Sequence, residues 1–266
     1  MSMALERTTL VAAVSGLAVV FILDILLRRK DRPAWPAVSG ILSVILALLT
    51  AAVAGRWLRE AQGPFLTLYD VLRSNLFCLT LVYLVAAWLL PALRRSAAIV
   101  VAVLGVLGIW ALTVSAEAVP LPATFDNPWL WLHVTAGKLF LGLCLPAAAT
   151  ALWLLIRNRR SPAEGGDMDT AVWLTLSLAF VCHSFMLIAG AIWAHSAWGR
   201  YWAWDSLETW TFITWLCIAL LLHARVTFRR MPVTYGWSAV IAIFGLAILT
   251  FLGVPFLSVA PHKGVM

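Results

Sequence analysis

The chain has 266 residues, of which 63% are apolar and only 12% are charged, and its formal net charge is +7. Soluble domains carry about twice this share of charged residues, so the composition excludes a soluble protein and indicates a polytopic membrane protein. The basic residues cluster in alternate loops, as membrane topology requires, and therefore do not indicate a nucleic-acid-binding surface.

Eight stretches are apolar enough to cross the hydrocarbon core, which takes about 20 residues of helix. They run approximately over 8–27, 35–55, 71–91, 97–115, 129–156, 171–194, 206–224 and 235–253. Helices are favoured over barrel strands because the alternation of such strands is absent and unpaired backbone groups are costly in lipid. The first stretch is expected to remain in the protein, because its positive charges follow it and no small-residue cleavage site comes after.

The distribution of basic residues predicts the sidedness of the membrane protein. Loops at 28–32, 94–95, 157–160 and 225–230 contain twelve Lys and Arg, and the alternate loops contain far fewer. Basic loops face the cytoplasm, so both termini and the loop near residue 200 are predicted on the outer side of a bacterial inner membrane, with a thylakoid membrane less favoured. We expect one membrane domain, 1–266, without an appended soluble domain.

A tryptophan-rich loop joins the sixth and seventh stretches. Six of the fifteen tryptophans lie between Trp193 and Trp215, around the run WGRYWAWD at 198–205. Scattered tryptophans anchor helices at headgroup level, but this run exceeds what anchoring needs, since indole and phenol rings offer flat faces and one donor each. The pattern therefore favours a binding site for a flat ligand, and His195 is interpreted as a polar neighbour of it. The run contributes Trp198, Gly199, Tyr201, Trp202, Trp204 and Asp205.

Charged residues near this loop have structural interpretations. The sequence DSLE predicts Asp205 as the N-cap of the seventh helix and Glu208 in its first turn, a variant capping box that requires no catalysis. Four arginines are expected on the same side: Arg56, Arg59, Arg73 and Arg200. Guanidinium groups could pair with ligand carboxylates, but solvated loop charge is the favoured account of each. Lys138, inside a helix, requires water, an acid or a ligand carboxylate.

Two of the five histidines are predicted to face each other across the loop. His133 lies at the outer end of the fifth helix, and His262 lies in the C-terminal tail. Two imidazoles beside an aromatic platform suit a haem iron with two axial ligands. The alternative is that His133 is only an interfacial residue and that His262 belongs to a disordered tail; the aromatic loop favours the haem site.

Two further histidines are predicted within the membrane. His223 lies seventeen residues beyond Ser206, about 25 Å below the outer surface at a helical rise of 1.5 Å per residue. A flat ligand could pack beside it at Ala219; equally, His223 could reach the headgroups together with Arg225. His183, near mid-membrane, is interpreted as a neutral histidine bonded to a neighbouring helix.

The run GAIWAHSAWGRYWAWDSLETWTFITW at 190–215, continued by LLHAR at 221–225, resembles the CcsA/ResC family of system II cytochrome c biogenesis. This family belongs to the haem-handling proteins with a tryptophan-rich WWD domain, here the external segment at about 190–215. GPFLTLYD at 63–70, WLWLHV at 129–134 and FLGVPFLSVAPH at 251–262 extend the resemblance over most of the chain. The chain departs from the family at His195, usually Asn, and at Asp70, usually Glu.

The resemblance implies a function and a set of ligands. His133 and His262 match the two external ligands of a haem b iron, His223 matches the membrane ligand, and the residues of the tryptophan run would cradle the ring. The family delivers haem to the outer face for attachment to the CxxCH motif of apocytochrome c, together with a ResB/CcsB-type partner in a holocytochrome c synthase complex.

Three alternatives remain open. A CcmC-like protein would load haem onto a separate chaperone, although the SLETW continuation and eight rather than six helices disfavour it. A transporter or structural subunit without haem would use its tryptophans only as anchors. A regulator of haem biosynthesis with the same membrane fold is the weakest alternative, because the WWD run is intact.

Overall fold

The computed structural model describes residues 3–30, 32–61, 63–158, 166–228 and 231–254, and every statement below concerns these residues. Within them, eight helices are long and apolar enough to span a membrane, and no strand occurs, so the prediction of an all-α membrane protein is confirmed. The helices are α1 (Met3–Arg29), α2 (Trp35–Glu60), α3 (Leu68–Leu89), α4 (Ala97–Thr113), α5 (Pro128–Asn158), α6 (Gly166–Trp198), α7 (Ser206–Thr227) and α8 (Val233–Ile248). A 3₁₀ helix, Pro91–Ser96, precedes α4, and a π-helical turn, Leu249–Gly253, follows α8.

Several helices extend beyond the predicted apolar stretches, most clearly α6. This helix has 33 residues and ends at Trp198, so the first residue of the predicted loop belongs to the helix and the loop runs over 199–205. Gly199 ends the helix with a φ of +72°, a left-handed conformation that glycine adopts without steric cost. Hydropathy indicates which residues lie in the hydrocarbon core, whereas the helix end is set by this local turn.

The helices form two compact units, Met1–Pro120 and Leu121–Gly264. In the first unit, α1 packs against α2 and α4, and α3 contacts the same two helices. In the second unit, α5 packs along α6 and against α8, while α7 contacts α6 and α8. The sidedness of the chain and its description as one membrane domain stay predictions.

The first unit buries a network of ion pairs where α1 begins, α2 ends and α3 begins. The Glu6 carboxylate pairs with Arg73 and with Arg59, the latter at 2.7 Å, and Asp70 pairs with the Arg56 Nε at 2.7 Å. The side chain of Arg73 is 0% exposed and that of Arg56 is 4% exposed. Solvated loop charge was therefore the wrong interpretation of Arg56 and Arg73, because acids on other helix ends enclose both guanidinium groups.

One carboxylate ties together three helices of the second unit at the end where α6 begins. Asp169 accepts hydrogen bonds from the indole nitrogens of Trp173 at 3.0 Å and Trp237 at 2.8 Å. Its other oxygen pairs with Arg225 at 2.8 Å, and that guanidinium lies 5.0 Å from the centre of the Trp173 ring. The beginning of α6, the end of α7 and the beginning of α8 are thus joined through Asp169.

Asp169→Asn is expected to lower the free energy of unfolding by about 1 to 2 kcal/mol, because it keeps the shape of the side chain but replaces charge-assisted hydrogen bonds with neutral ones. Thermal unfolding in detergent measures the change. Asp167→Asn, in the same first turn but exposed, is the control and should leave the unfolding temperature unchanged. Equal effects of the two substitutions would show that Asp169 does not join the helices.

Candidate functional site

A cavity of about 110 Å³ lies in the second unit at the end of α6. Its walls come from α5, α6, α7, the loop at 199–205 and the π-helical turn. Among the predicted site residues, His133, Tyr201 and Trp202 line this cavity, and Glu208 also reaches it. The structure therefore brings an imidazole from α5 together with the tryptophan loop, as the sequence predicted.

The His133 ring is held in a defined orientation. Its Nδ1 lies 2.8 Å from the backbone oxygen of Met186. Because a carbonyl oxygen only accepts hydrogen bonds, Nδ1 carries the proton in the neutral ring, and Nε2 has the lone pair that binds a metal. The ring stacks on Trp193 at 6.2 Å, and the Trp193 indole donates to the backbone oxygen of Thr124 at 2.9 Å. A backbone carbonyl and an anchored indole thus orient a potential iron ligand.

Gly190 makes the position of His133 possible. A β-carbon added at Gly190 would lie 2.5 Å from Nδ1 of His133 and 2.8 Å from its Cε1. Only glycine allows the imidazole to lie this close to α6 and to reach the Met186 carbonyl. This role of Gly190 was not predicted from the sequence. The signal that could have indicated it is the position of Gly190 at the start of the GAIW segment.

Two carboxylates fix the end of the tryptophan loop. The Asp205 side chain accepts a hydrogen bond from the Glu208 backbone nitrogen at 2.8 Å, which confirms Asp205 as the N-cap of α7. The Glu208 carboxylate accepts a hydrogen bond from the backbone nitrogen of Ala203 at 2.6 Å. In a standard capping box this bond would come from the N-cap residue itself, whereas Ala203 lies two residues before the N-cap. Trp204, which lies between Ala203 and Asp205 in the chain, adopts a φ of +59° and is 68% exposed. A bulky residue at positive φ is strained, and the two carboxylates hold it there.

The aromatic residues where α6 ends pack on one another. Trp198 lies edge-on to Trp193 with ring centres 4.8 Å apart. Tyr201, which is 57% exposed, stacks on His195 with ring centres 4.2 Å apart and planes 15° from parallel. His195 is therefore more than a polar neighbour of the loop, since it supports the Tyr201 ring.

A second series of ring contacts continues from the loop into the helices. Trp202 and Trp204 lie edge-on to each other at 5.7 Å, and both contact Phe212 of α7. Phe212 stacks on Trp215 at 6.0 Å, and Trp215 stacks on Phe180 of α6 at 5.3 Å. The aromatic surface of the loop thus extends along α7 towards the middle of the second unit, which anchoring at headgroup level does not require.

The cavity wall also contains a hydrogen-bond donor that has no acceptor among the described residues. The indole nitrogen of Trp202 is buried and has no hydrogen-bond partner among the described residues. Buried polar atoms normally have a partner, so a ligand with an acceptor group would satisfy this nitrogen. An oriented imidazole, flat aromatic walls and an indole donor match the iron, the planar ring and the carboxylates of haem in their chemistry, and the cavity of about 110 Å³ would enclose only part of the ring.

The remaining histidines lie elsewhere. His223 is exposed on α7 and its Nε2 lies 3.3 Å from the Thr227 hydroxyl. Arg225 pairs with Asp169, and the alternative that His223 reaches the headgroups stays a prediction. His262 lies outside the described residues, and its placement opposite His133 stays a prediction.

His183 differs from its prediction in one respect. It is fully buried, as expected for a histidine near mid-membrane. Neither ring nitrogen has a hydrogen-bond partner among the described residues, so the expected bond to a neighbouring helix was wrong. Phenylalanine rings, rather than polar groups, surround the imidazole.

These observations define an eight-helix membrane protein with an oriented imidazole and an aromatic loop at one end of its second unit. The family model described as Cytochrome C assembly protein matches residues 3–262, and the chain belongs to this family. The resemblance to the CcsA group of cytochrome c biogenesis proteins is thereby confirmed, and the chain is a multi-pass membrane protein, consistent with a bacterial membrane.

Curated relatives support the same assignment, and a solved structure shares the fold. Cytochrome c biogenesis protein CcsA from Chlamydomonas reinhardtii is 28% identical over 245 residues, which cover 85% of this chain and 66% of that protein. The CcsA protein from Synechococcus elongatus is 28% identical over 290 residues, which cover 86% of this chain and 87% of that protein. The solved structure of Cytochrome c Heme Lyase CcmF matches with a TM-score of 0.72 and 19% identity, over 95% of this chain and 47% of that chain. The likeness to CcmF shows a shared fold over about half of that longer protein.

Proposed function

We propose that this protein carries haem b to the outer membrane face and presents it for covalent attachment to the CxxCH motif of apocytochrome c. The observation that carries the proposal is the orientation of His133. Its Nδ1 is bonded to the Met186 carbonyl at 2.8 Å, and its ring lines the cavity beside the tryptophan loop. The imidazole is thus prepared to bind iron at the place where flat aromatic rings could support a porphyrin.

The residues of the chain bind and orient haem as a substrate. His133 and His262 hold the iron from opposite sides, and the loop at 199–205 supports the ring. The Trp202 indole, which has no partner among the described residues, donates to a haem carboxylate. Haem itself supplies the vinyl groups to which the cysteine thiols of apocytochrome c add.

The contribution of this chain to the reaction is positioning and control of the iron potential. A thiol and a vinyl carbon held close and aligned react as if at a very high local concentration. Axial imidazoles also tune the iron potential, which matters because reduced iron favours thioether formation. In this proposal the chain acts as part of a holocytochrome c synthase, and no side chain of its own forms a covalent intermediate.

The exposed position of His223 supports a ResB/CcsB-type partner subunit. A polar residue on the lipid-facing side of a membrane helix is costly and usually marks a functional contact. Close to His223, Leu220 is 67% exposed and Val226 is 81% exposed, so this face of α7 presents apolar surface around a single imidazole. A partner helix that supplies the second axial ligand would cover His223 and form an earlier position for haem.

The proposal is tested by the absorption spectrum of the purified complex. The wild type should contain haem, and the double variant His133→Ala, His262→Ala should lose at least nine tenths of the haem per chain, because both axial ligands are removed. Ser196→Ala, which changes an exposed residue of the same region whose hydroxyl bonds only within its own helix turn, is the control and should retain haem. A wild type without absorbance, or a double variant with unchanged absorbance, would overturn the proposal and favour a transporter or structural subunit.

A further inference from the structure

His183 has an environment that its packing alone does not explain. Its ring stacks on Phe140 of α5 with ring centres 4.1 Å apart, and the Phe251 ring, which also contacts Phe140, lies 6.3 Å away. The residue is 0% exposed, and both ring nitrogens are without hydrogen-bond partners among the described residues. A buried imidazole that makes no hydrogen bond destabilises the folded protein. A phenylalanine or leucine would fill the same space without this cost.

Phe251 separates His183 from the cavity beside His133. The Phe251 side chain lines that cavity and also contacts the His183 ring. Phe251 belongs to the π-helical turn, Leu249–Gly253. Single π-helical turns inside membrane or soluble helices are frequent at functional sites, because the looser hydrogen-bond ladder permits local rearrangement. Phe251 is therefore one of the side chains that lie between the cavity and His183.

The positions of His183 and His133 along the helices differ by two helical turns. His133 contacts α6 at Gly190, and His183 contacts α5 at Phe140. The two contacts are seven residues apart on both helices, which corresponds to about 10 Å at a rise of 1.5 Å per residue. His183 therefore lies about 10 Å deeper in the second unit than His133.

The contacts of α7 give the depth of His223 relative to His183. The Trp215 indole donates to the Ser184 hydroxyl at 2.9 Å, which places Trp215 at the depth of His183. His223 follows eight residues later on α7, about 12 Å further along the helix. His133, His183 and His223 thus lie at successive depths, with His183 between the other two.

We propose that His183 coordinates haem iron at an intermediate position in the membrane, after His223 and before His133, and that Phe251 turns aside to admit the ring. The inference rests on the proposed function. A neutral imidazole in apolar surroundings is the form that binds iron, and phenylalanine faces match the apolar faces of a porphyrin. One nitrogen–iron bond forms on arrival and breaks on departure, so no electron or proton needs another source.

The test uses the full chain purified with its partner, in a background where His133, His223 and His262 are all changed to Ala. This triple variant is expected to retain haem at a reduced level, with an axial histidine detectable by resonance Raman spectroscopy. Adding His183→Phe should lower the haem per chain at least fivefold, since Phe fills the space of the imidazole beside Phe140 and Phe251 but binds no iron. Cys182→Ala, a change at the neighbouring half-buried residue, is the matched control and should leave haem unchanged.

A second variant keeps the test independent of folding effects. Phe251→Ala in the triple background should raise the residual haem about threefold, and this gain should disappear when His183→Phe is also present. A triple variant without haem, or one in which His183→Phe changes nothing, would overturn the inference while the haem of the wild type stays intact. A wild type without haem would instead overturn the proposed function itself.

Discussion

Gly190→Ala is expected to lower the haem bound per chain about tenfold while leaving the fold intact. The added methyl group would lie 2.5 Å from the His133 Nδ1, so the imidazole must move away from α6 and lose its bond to the Met186 carbonyl. A tenfold loss corresponds to about 1.4 kcal/mol, similar to the net contribution of one hydrogen bond. Haem per chain, measured as the pyridine haemochrome, checks the result.

The control is Gly245→Ala in α8, because a β-carbon at Gly245 meets nothing within 4 Å. Both substitutions replace a helical glycine by the best helix former, so both chains should fold at least as well as the wild type. Only Gly190→Ala should lose haem and change the axial-ligand bands of the spectrum. Equal haem in the two variants would show that the close approach of His133 to α6 is not needed for binding.

Arg73→Met is expected to lower the free energy of unfolding by about 3 to 5 kcal/mol. Arg73 is fully buried and pairs with Glu6 of α1 and, at 3.4 Å, with Asp70 of its own helix. Removing one partner of a buried ion pair leaves an uncompensated charge in a medium of low dielectric constant, which costs more than the pair contributed. Unfolding in detergent, followed by tryptophan fluorescence, measures the change.

Arg7→Met is the matched control, since Arg7 follows Glu6 directly on α1 but is exposed. It should change the free energy of unfolding by less than about 0.5 kcal/mol. The double variant Glu6→Gln, Arg73→Met should recover part of the loss, because the buried carboxylate that lost its Arg73 partner is gone. If Arg73→Met destabilised the protein no more than Arg7→Met, the buried network would not stabilise the first unit.

The eight membrane helices were predictable because the bilayer imposes a length and an apolar composition on each of them. The boundaries were less accurate where a helix projects beyond the apolar stretch, as α6 does at Trp198. Asp205 was predicted correctly as an N-cap because its hydrogen bond to Glu208 joins residues only three positions apart, so the local sequence indicates it. Local hydrogen bonds of this kind need no knowledge of the tertiary structure.

The contacts that were missed join residues far apart in the chain. Glu6 and Arg73 are 67 residues apart, and His133 and Met186 are 53 residues apart. Hydropathy describes the depth of a residue in the membrane but not the direction in which its side chain points around the helix. For this reason Arg56 and Arg73 were interpreted as solvated, and the expected hydrogen bond of His183 was assigned to a neighbour that the packing does not provide.

The sequence by itself determined the eight helices that are long and apolar enough to span a membrane within the described residues, the tryptophans between α6 and α7, and the resemblance of its motifs to a haem-handling family. These properties depend on composition, on helical length and on residues close together in the chain. Only the tertiary structure decided that Gly190 admits the His133 ring, that Phe251 lies between the cavity and His183, and that Glu6 and Asp70 enclose two arginines. Such contacts depend on how antiparallel helices are rotated and shifted against one another, and that arrangement results from the packing of all their side chains together.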